Sequence, residues 1–229
     1  MLVRSWNLFH GNTVPPGRRA YLREMVELVT ADRPAIVCLQ EVPVWALKHL
    51  APWSGMTAVG AVAAPPRLVS AELGRWITEL HHGLIRSAFT GQANAILADR
   101  AVTEERTLTV SRAGERRLCQ SLRVGDVVVG NVHVTGGAPA DSQLELAVEF
   151  VAAQGDRVIL AGDTNLHPGT GRAYALLREL GFSEPLAGSI DQIFVRGLPS
   201  TPPLAWAADR RRVGGRLLSD HAPVELIVG

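Results

Sequence analysis

The residues best placed to do chemistry in this chain lie in the segment Arg157–Asn165, RVILAGDTN. An apolar run ends in Gly162 and is followed by the carboxylate of Asp163 and, two positions later, the amide of Asn165. A buried strand would present both side chains on one face, and we expect Gly162 to leave room for a ligand. A carboxylate and an amide suit a divalent cation, its bound water or a phosphate oxygen. Taken alone, the segment also fits a simple turn after a strand, because Gly, Asp and Asn are common turn residues.

Further polar groups occupy the same kind of position, at an end of an apolar, strand-like run. They are Asn7, Glu41, Asn94, His133, Asp191 and the pair Asp220-His221. A charge placed at a buried strand end is costly unless it meets water, a partner or a metal ion. One such end has an ordinary structural explanation, whereas the whole set predicts a common site. On an α/β scaffold, such a site lies beyond the carboxyl ends of the strands.

These residue types suit the attack of water on a phosphate. Glu41 can ligate Mg²⁺, which keeps several waters and takes one or two carboxylates besides substrate oxygens. Asp163 can orient and deprotonate the attacking water. His221, held in one tautomer by Asp191, can stabilise charge on the phosphoryl group, as in a hydrolase triad. The remaining polar groups would supply preorganised hydrogen bonds around the phosphate, and these are Asn7, Asn94, His133 and Asn165.

Other catalytic classes fit the sequence less well. Ser219 stands beside Asp220 and His221, but neighbours along a strand point to opposite faces, and no Gly-x-Ser-x-Gly elbow is present. The sequence has no cysteine pairs at zinc-binding spacing, no dinucleotide-binding glycine fingerprint and no P-loop. His81 and His82 fall in a predicted helix, where adjacent residues do not share a face, so they are a poor metal pair.

Length and composition bound the architecture. The 229 residues fit one large domain, and a hydrophobic content of 47% can fill a sizeable core. The net charge of +1 excludes a strong whole-protein field for attracting nucleic acid. The sequence shows no integral membrane segment, because no run of about 18 apolar residues is present. Cys38 and Cys119 lie far apart among apolar residues and the start lacks a secretory signal, so we expect a cytoplasmic protein with reduced thiols.

The elements that must position these residues alternate along the chain. Apolar runs predict strands over 2–8, 35–39, 91–97, 103–110, 118–124, 127–134, 157–163, 189–195 and up to 228. Apolar stripes at helical spacing predict helices over 15–30, 44–50, 70–85, 141–153 and 170–180. Residues 51–70 and 197–216 are each expected to hold a strand with loops. Because no linker or repeat divides the sequence, we predict a single domain over residues 1–229.

In this order, the motifs resemble those of the endonuclease/exonuclease/phosphatase superfamily, which includes deoxyribonuclease I, abasic-site endonucleases, inositol polyphosphate phosphatases and bacterial sphingomyelinases. The motifs are Trp6-Asn7, Leu39-Gln40-Glu41, Asn94-Ala95-Ile96-Leu97, Asn131-Val132-His133, Gly162-Asp163-Thr164-Asn165, Ile190-Asp191-Gln192-Ile193-Phe194 and Ser219-Asp220-His221-Ala222-Pro223-Val224. The resemblance implies a four-layer α/β sandwich, with two mixed β-sheets packed face to face and helices on the outside. It also implies a divalent-metal phosphoesterase whose site lies at one edge of the sandwich.

The resemblance also implies a role for each matching residue. Metal binding, to Mg²⁺ or in its place Mn²⁺, is assigned to Glu41, Asn7 and Asp220. Catalysis is assigned to Asp163, which activates water, and to His221, Asp191, His133 and Asn165. Contacts to the substrate phosphate are assigned to Asn165 and, as the weakest match, Asn94.

Two departures from the family pattern bear on the substrate. Gln40-Glu41-Val42-Pro43 lacks the Gln-Glu-Thr-Lys form common in abasic-site endonucleases, and Phe9 stands where many of them place an aspartate. Arg212 and Arg216 lie in an arginine-rich loop before the last motif. This loop is either a phosphate clamp at the mouth of the site or a solvated basic loop.

Three functional hypotheses follow from the sequence. The first is a Mg²⁺-dependent nuclease whose partner is DNA or RNA. The second is a hydrolase of a phosphorylated small molecule or lipid, which the near-neutral charge also allows. The third is a binding module without catalysis, which the loss of Glu41, Asp163 or His221 would indicate, and all three residues are present.

Overall fold

The apolar runs and stripes of the sequence form the strands and helices of the computed structural model, which describes residues 1–17, 19–66, 90–112, 114–169 and 171–229. The strands, β1 to β14 in chain order, are Leu2–Asn7, Thr13–Val14, Ile36–Val42, Thr57–Ala64, Gln92–Ala98, Val102–Ser111, Arg117–Val124, Val127–His133, Val158–Asp163, Asp191–Arg196, Leu204–Ala205, Arg212–Val213, Arg216–Leu218 and Val224–Ile227. The helices α1 to α4 are Leu22–Thr30, Leu47–Ser54, Ala140–Ala152 and Arg172–Glu179.

The strands form two large sheets and one small one. The first large sheet has the order β11-β14-β1-β3-β5-β4, and the second has the order β10-β9-β8-β7-β6. Each contains one parallel pair, β1 with β3 and β8 with β9, among antiparallel neighbours. Strands β12, β13 and β2 form the small sheet. Both large sheets are therefore mixed, as the family resemblance implied.

Three apolar clusters define four layers. Side chains of both large sheets, such as Val3, Ile36 and Ile159, fill the space between them. Helices α1 and α2 cover the outer face of the first sheet, where Met25 packs with Leu39. Helices α3 and α4 cover the outer face of the second sheet. The result is the predicted order of helix, sheet, sheet and helix, and no described helix has the length and apolarity that a membrane span needs.

A band of buried amides crosses the space between the sheets. Gln40 of β3 donates from Nε2 to Oδ1 of Asn131 on β8 at 2.8 Å and to Oγ of Ser5 at 3.1 Å. Asn131 donates from Nδ2 to the carbonyls of Leu39 and Ala95, each at 2.9 Å. Buried polar groups of this kind are costly unless they are paired, so they strongly favour one relative position of the sheets. That position brings the ends of both parallel pairs to one edge.

Several element bounds differ from those predicted. The first helix begins at Leu22 and not at Pro15, because the apolar stripe starts there. The carbonyls of Pro15 and Pro16 instead accept hydrogen bonds from Nη1 of Arg216, each at 2.9 Å. Residues 44–50 form a 3₁₀ turn that continues into α2, and residues 197–216 contain very short strands instead of one longer strand. The predicted helix over 70–85, with His81 and His82, lies outside the described residues.

Gly162 allows two strands to approach, which differs from the ligand-related role that the sequence suggested. It has a positive φ of 147°, and it pairs with Val132 in the parallel β8–β9 ladder. A Cβ at this position would overlap with the backbone carbonyl of Val132. The glycine is therefore needed for strand packing next to Asp163.

We expect Gly162→Ala to destabilise the fold by at least about 3 kcal/mol, because the methyl group forces the two strands apart at a strained position. The matched control is Gly181→Ala, where φ is also positive (+77°) but no atom lies within 4 Å of an added Cβ. This control should cost about 1 kcal/mol. Urea unfolding of both variants measures the difference, and equal losses would contradict the packing role of Gly162.

Candidate active site

The polar residues predicted to form one site meet at one edge of the sandwich. Strand β1 ends at Asn7, β8 ends at His133 and β9 ends at Asp163. The register of the second sheet places His133 beside Asp163, and Asp163 beside Asp191 at the start of β10. Glu41 is the penultimate residue of β3, the parallel neighbour of β1. The topology therefore brings together residues that are far apart in sequence.

Asp163 is a buried carboxylate whose two oxygens are both held. Nδ2 of Asn7 donates to Oδ2 at 3.0 Å, and the backbone N–H of Asn165 donates to Oδ1 at 3.0 Å. Nε2 of His221 lies 3.9 Å from Oδ2. Burial and the nearby charge of Asp191 raise the pKa of Asp163 to about 6, although His221 and the two hydrogen bonds act in the opposite direction. A carboxylate with this pKa can act as a base near neutral pH.

His221 is paired with Asp191, as the sequence predicted. Its Nδ1 lies 2.9 Å and 3.1 Å from the two carboxylate oxygens of Asp191. Burial lowers the pKa of His221, but the hydrogen bond and charge of Asp191, with the charges of Asp163 and Asp220, outweigh burial and raise it to about 9. The imidazole is therefore a cation at neutral pH, with Nδ1 bound to Asp191 and Nε2 directed towards Asp163.

Glu41 reaches the site because the backbone of β3 is irregular. The β3–β5 ladder shifts register between Leu39 and Val42, and Glu41 has a left-handed φ of 54°. Oε1 lies 3.8 Å from Nε2 of His133, and Oε2 lies 3.5 Å from Nε2 of His10. Burial raises the pKa of Glu41 to about 7, and the charge of Asp163 acts in the same direction. The charges of Arg117 and His221 and the hydrogen bond of Asn7 lower it by less.

This carboxylate fits a divalent cation. Its charge is largely buried, and burial raises its pKa in spite of the opposing effects of Arg117, Asn7 and His221, which is the situation that a bound cation relieves. The side-chain oxygens of Glu41 and Asn7 are the hard ligands that such an ion takes. Asp163, Asp191 and His221 also bring one possible ligand atom each within 4.8 Å of one another. Asp191 and His221 of this group are already paired with each other.

His133 is fixed in one tautomer by two donors. Nη1 of Arg117 lies 2.7 Å from Nδ1, and Nε2 of Gln92 lies 3.1 Å from it. An arginine always donates, so Nδ1 is the acceptor and Nε2 carries the proton. Burial, followed by the charges of Arg117, His221 and His10, lowers the pKa of His133 well below its usual value. His133 is therefore a neutral donor whose Nε2–H lies 3.5 Å from Oδ2 of Asp163.

The turn before His221 is held by the backbone and by one arginine. Oγ of Ser219 donates to the carbonyl of Asn7 at 2.7 Å and accepts the N–H of His221 at 3.1 Å. Arg211, which is buried, donates from Nη1 to the carbonyls of Leu218 and Ser219 at 2.9 Å and 2.8 Å. The hydroxyl of Ser219 is thus committed to positioning the turn, which agrees with the weak case for a serine nucleophile.

The structure does not bring every predicted residue into the site. Nδ2 of Asn94 donates to the carbonyls of Leu118 and Asn131, each at 3.2 Å, so it joins the two sheets and does not face a phosphate. Arg212 and Arg216 donate to nearby carbonyls of the small sheet and its loops and have no described contact with the residues around Asp163. Asp220 lies closer, with Oδ1 at 3.9 Å from Nε2 of His221.

Three site residues were missed by sequence reasoning, and they are His10, Gln92 and Arg117. Gln92 and Arg117 are the first residues of β5 and β7, which run antiparallel to β3 and β8. The amino end of an antiparallel strand reaches the same edge as the carboxyl end of its neighbour. A polar residue at the start of a predicted strand could therefore have indicated that Gln92 and Arg117 belong to the site. His10 follows β1 within a turn and has no comparable signal.

Backbone strain is concentrated at this edge. Among the described residues other than glycine, positive φ values occur at Phe9, His10, Arg33, Glu41, Glu104, Asn165 and Ser219, and five of these seven belong to the site or its turns. A left-handed residue with a side chain costs roughly 1–2 kcal/mol. Such strain persists where surrounding contacts enforce it, and it is typical of functional sites.

Comparison with known proteins identifies relatives of the whole chain. The family model described as "Endonuclease/Exonuclease/phosphatase family" matches residues 5–221. A functionally unknown conserved protein from Enterococcus faecalis V583 has a similar structure (17% identity, TM-score 0.73, covering 100% of this chain and 99% of that one). So does a mannosyl-6-phosphatase from Bacteroides thetaiotaomicron VPI-5482 (17% identity, TM-score 0.71, 100% and 99%). TDP2 from Caenorhabditis elegans is also similar (18% identity, TM-score 0.63, 100% and 74%). At these identities the likeness establishes the fold, and no curated protein matches the sequence.

We expect Glu41→Gln to stabilise the metal-free protein at pH 8 but not at pH 5. The pKa of Glu41 in the folded protein, about 7, exceeds its ordinary value of 4.5. The folded state therefore binds more protons than the unfolded state between these values and loses stability as the pH rises through them. At pH 8 the glutamine removes a penalty of about 2–3 kcal/mol.

Thermal unfolding in EDTA at both pH values measures this effect, with exposed Glu105→Gln as the control. A Glu41→Gln protein that is less stable than the unsubstituted protein at pH 8 would contradict the cost of the buried charge.

Proposed function

The chain belongs to the endonuclease/exonuclease/phosphatase family, and from this premise we propose that it is a metal-dependent phosphodiesterase that cleaves nucleic acid by attack of water. Phosphate-ester hydrolysis is the activity of the family as a whole. The observation that carries the proposal for this chain is Asp163, a buried carboxylate held at both oxygens, with the Asp191-paired cation of His221 3.9 Å away. This is the arrangement that activation of water beside a phosphate requires.

Water is the nucleophile in this proposal, because the nearby hydroxyl groups have structural roles. Oγ1 of Thr164 donates to the carbonyl of Ile190 at 2.8 Å, and Oγ of Ser219 donates to the carbonyl of Asn7. Asp163 accepts the proton of the attacking water. Asn7 and the backbone N–H of Asn165 fix the direction of its lone pairs, and Asn165 itself donates from Nδ2 to the carbonyl of Val134 at 3.0 Å.

His221 and His133 are the side chains that interact with the phosphate in this proposal. The cation of His221 faces Asp163 through Nε2 and stabilises the negative charge that builds up on the phosphoryl and leaving oxygens. The neutral Nε2–H of His133 donates a hydrogen bond to the same group. Asp191 orients the cationic ring of His221, and Arg117 and Gln92 hold the neutral ring of His133 in the tautomer that carries its proton on Nε2.

Glu41 and Asn7 would hold the divalent ion, with Asp220 as a further contact from the opposite loop. When bound, a divalent ion supplies positive charge that stabilises a phosphoryl oxygen and the leaving group. Burial raises the pKa of Glu41 to about 7, against the effects of Arg117, Asn7 and His221. This environment supports the metal-binding role of Glu41.

A groove beside the site supports a nucleic-acid substrate over a small ester. It has a volume of about 270 Å³ and is lined by residues of β4, β6 and β7, including Arg117, and by Arg112 and Arg116 between β6 and β7. Arg117 also contacts His133, so the groove continues from the catalytic residues. The exposed arginines Arg112 and Arg116 can bind the phosphates that flank a cleaved bond.

We expect Asp163→Ala and His221→Ala each to reduce turnover of bis(4-nitrophenyl) phosphate by at least about 100-fold, the usual effect of losing a base or a charge stabiliser. Arg212→Ala, in the small sheet, is the control and should retain activity within about threefold. EDTA should abolish turnover in all of the proteins. Full activity in either folded catalytic variant would exclude this site.

Nicking of supercoiled plasmid tests the substrate. Nicking should require both a divalent metal and Asp163, and should fall steeply with salt because phosphate contacts release counterions. If the protein cleaves small phosphate esters but leaves the plasmid intact, the nucleic-acid proposal is wrong and the small-molecule alternative applies. If it cleaves neither, although it is folded and binds metal, the chain is a binding module.

A further inference from the structure

We propose that His10 is a direct ligand of the metal ion held by Glu41, and that the site consequently prefers a divalent transition metal such as Mn²⁺ to Mg²⁺. The inference rests on the proposed function only in placing the ion at Glu41. It concerns which ion the site selects and which residue selects it.

The position of His10 carries the proposal. His10 lies in the turn Phe9–Gly11 directly after β1, is 7% exposed, and directs Nε2 to within 3.5 Å of Oε2 of Glu41. Two ligand atoms that are each about 2.1 Å from one ion, at angles of about 90–113°, lie roughly 3.0–3.5 Å apart. The observed separation is therefore one that two neighbouring ligands of a single ion can have.

Two consecutive residues with left-handed backbone conformation direct His10 towards Glu41. Phe9 and His10 both have left-handed φ values, 47° and 53°. Oδ1 of Asn7 accepts the N–H of Phe9 at 2.9 Å, which fixes the start of the turn. The same asparagine donates to Asp163 through Nδ2. The turn that places His10 is therefore tied to the catalytic carboxylate.

The two other histidines of the site are unsuitable as ligands. Nε2 of His133 carries a proton, because Nδ1 accepts from Arg117. His221 is bound through Nδ1 to Asp191 and faces Asp163 through Nε2. His10 is thus the histidine of the described site whose Nε2 is directed at Glu41 from the turn after β1.

The ligand type determines which ion is preferred. Mg²⁺ takes oxygen ligands almost exclusively and demands near-octahedral geometry. Imidazole nitrogen strengthens the binding of transition metals, among which Mn²⁺ is the weakest and closest to Mg²⁺ in behaviour. Adding one imidazole to the oxygens of Glu41 and Asn7 therefore shifts selectivity towards Mn²⁺ and the ions that follow it.

The test measures metal binding to the full chain without substrate. Mn²⁺ titration followed by electron paramagnetic resonance, with Mg²⁺ as the competitor, gives both affinities. The unsubstituted protein should bind Mn²⁺ at least about 10-fold more tightly than Mg²⁺. His10→Gln should lose at least about 10-fold in Mn²⁺ affinity but less than about threefold in Mg²⁺ affinity. His49→Gln, on α2 where the ring stacks on Trp53 at 5.2 Å, is the control and should match the unsubstituted protein.

A spectroscopic measurement separates a ligand from a residue that merely orients Glu41. Electron spin echo modulation of the Mn²⁺-loaded protein should show coupling to a directly bound ¹⁴N nucleus, and His10→Gln should remove it. Unchanged Mn²⁺/Mg²⁺ selectivity in folded His10→Gln would overturn the proposal. If that variant fails to fold, absence of ¹⁴N coupling in the unsubstituted protein would overturn it. Selective binding without hydrolysis would instead contradict the proposed function and leave this inference intact.

Discussion

The site depends on keeping Asp163 ionised in a place from which water is largely excluded. Burial and the neighbouring Asp191 raise its pKa to about 6, so ionisation at neutral pH relies on specific partners. Those partners come from three separate segments: Asn7 ends the first strand, Asn165 follows β9, and His221 precedes the last strand. A displacement of any segment would therefore alter the charge state of the carboxylate as well as its position.

Regular strand geometry could not have produced this site. Leu39 of β3 packs against the outer helices, and residues two apart on a strand share a face, so a regular β3 would have directed Glu41 to the helical layer. The register shift between Leu39 and Val42 turns Glu41 to the rim, towards His10 and His133. The bulge, with its left-handed residue, is thus a functional part of the strand.

The family resemblance implied the four layers, and the polar strand ends predicted the convergence of Asn7, Glu41, Asp163 and His221, because strand ends depend on local sequence. Sequence reasoning failed where the position of a side chain depended on its depth between the sheets, on the direction in which it points or on how its strand is paired. The sequence placed Asn94 at a strand end but could not show that it lies deeper than Gln92, where it joins the sheets. Arg117 reaches His133 because β7 pairs antiparallel with β8, and local sequence does not reveal this pairing. In the arginine-rich loop, the residue that supports the site is the buried Arg211, and its exposed neighbours do not.

The first and last strands are neighbours in the centre of one sheet, and this pairing determines when the site can exist. Nε1 of Trp6 donates to the carbonyl of His221 at 3.0 Å across a separation of 215 residues. Contacts between such distant segments are slow to form, because a long stretch of chain must be ordered first. A nascent chain emerging from the ribosome therefore contains Asn7 long before it contains His221. The candidate site remains incomplete until His221 has been synthesised and the two strands have paired.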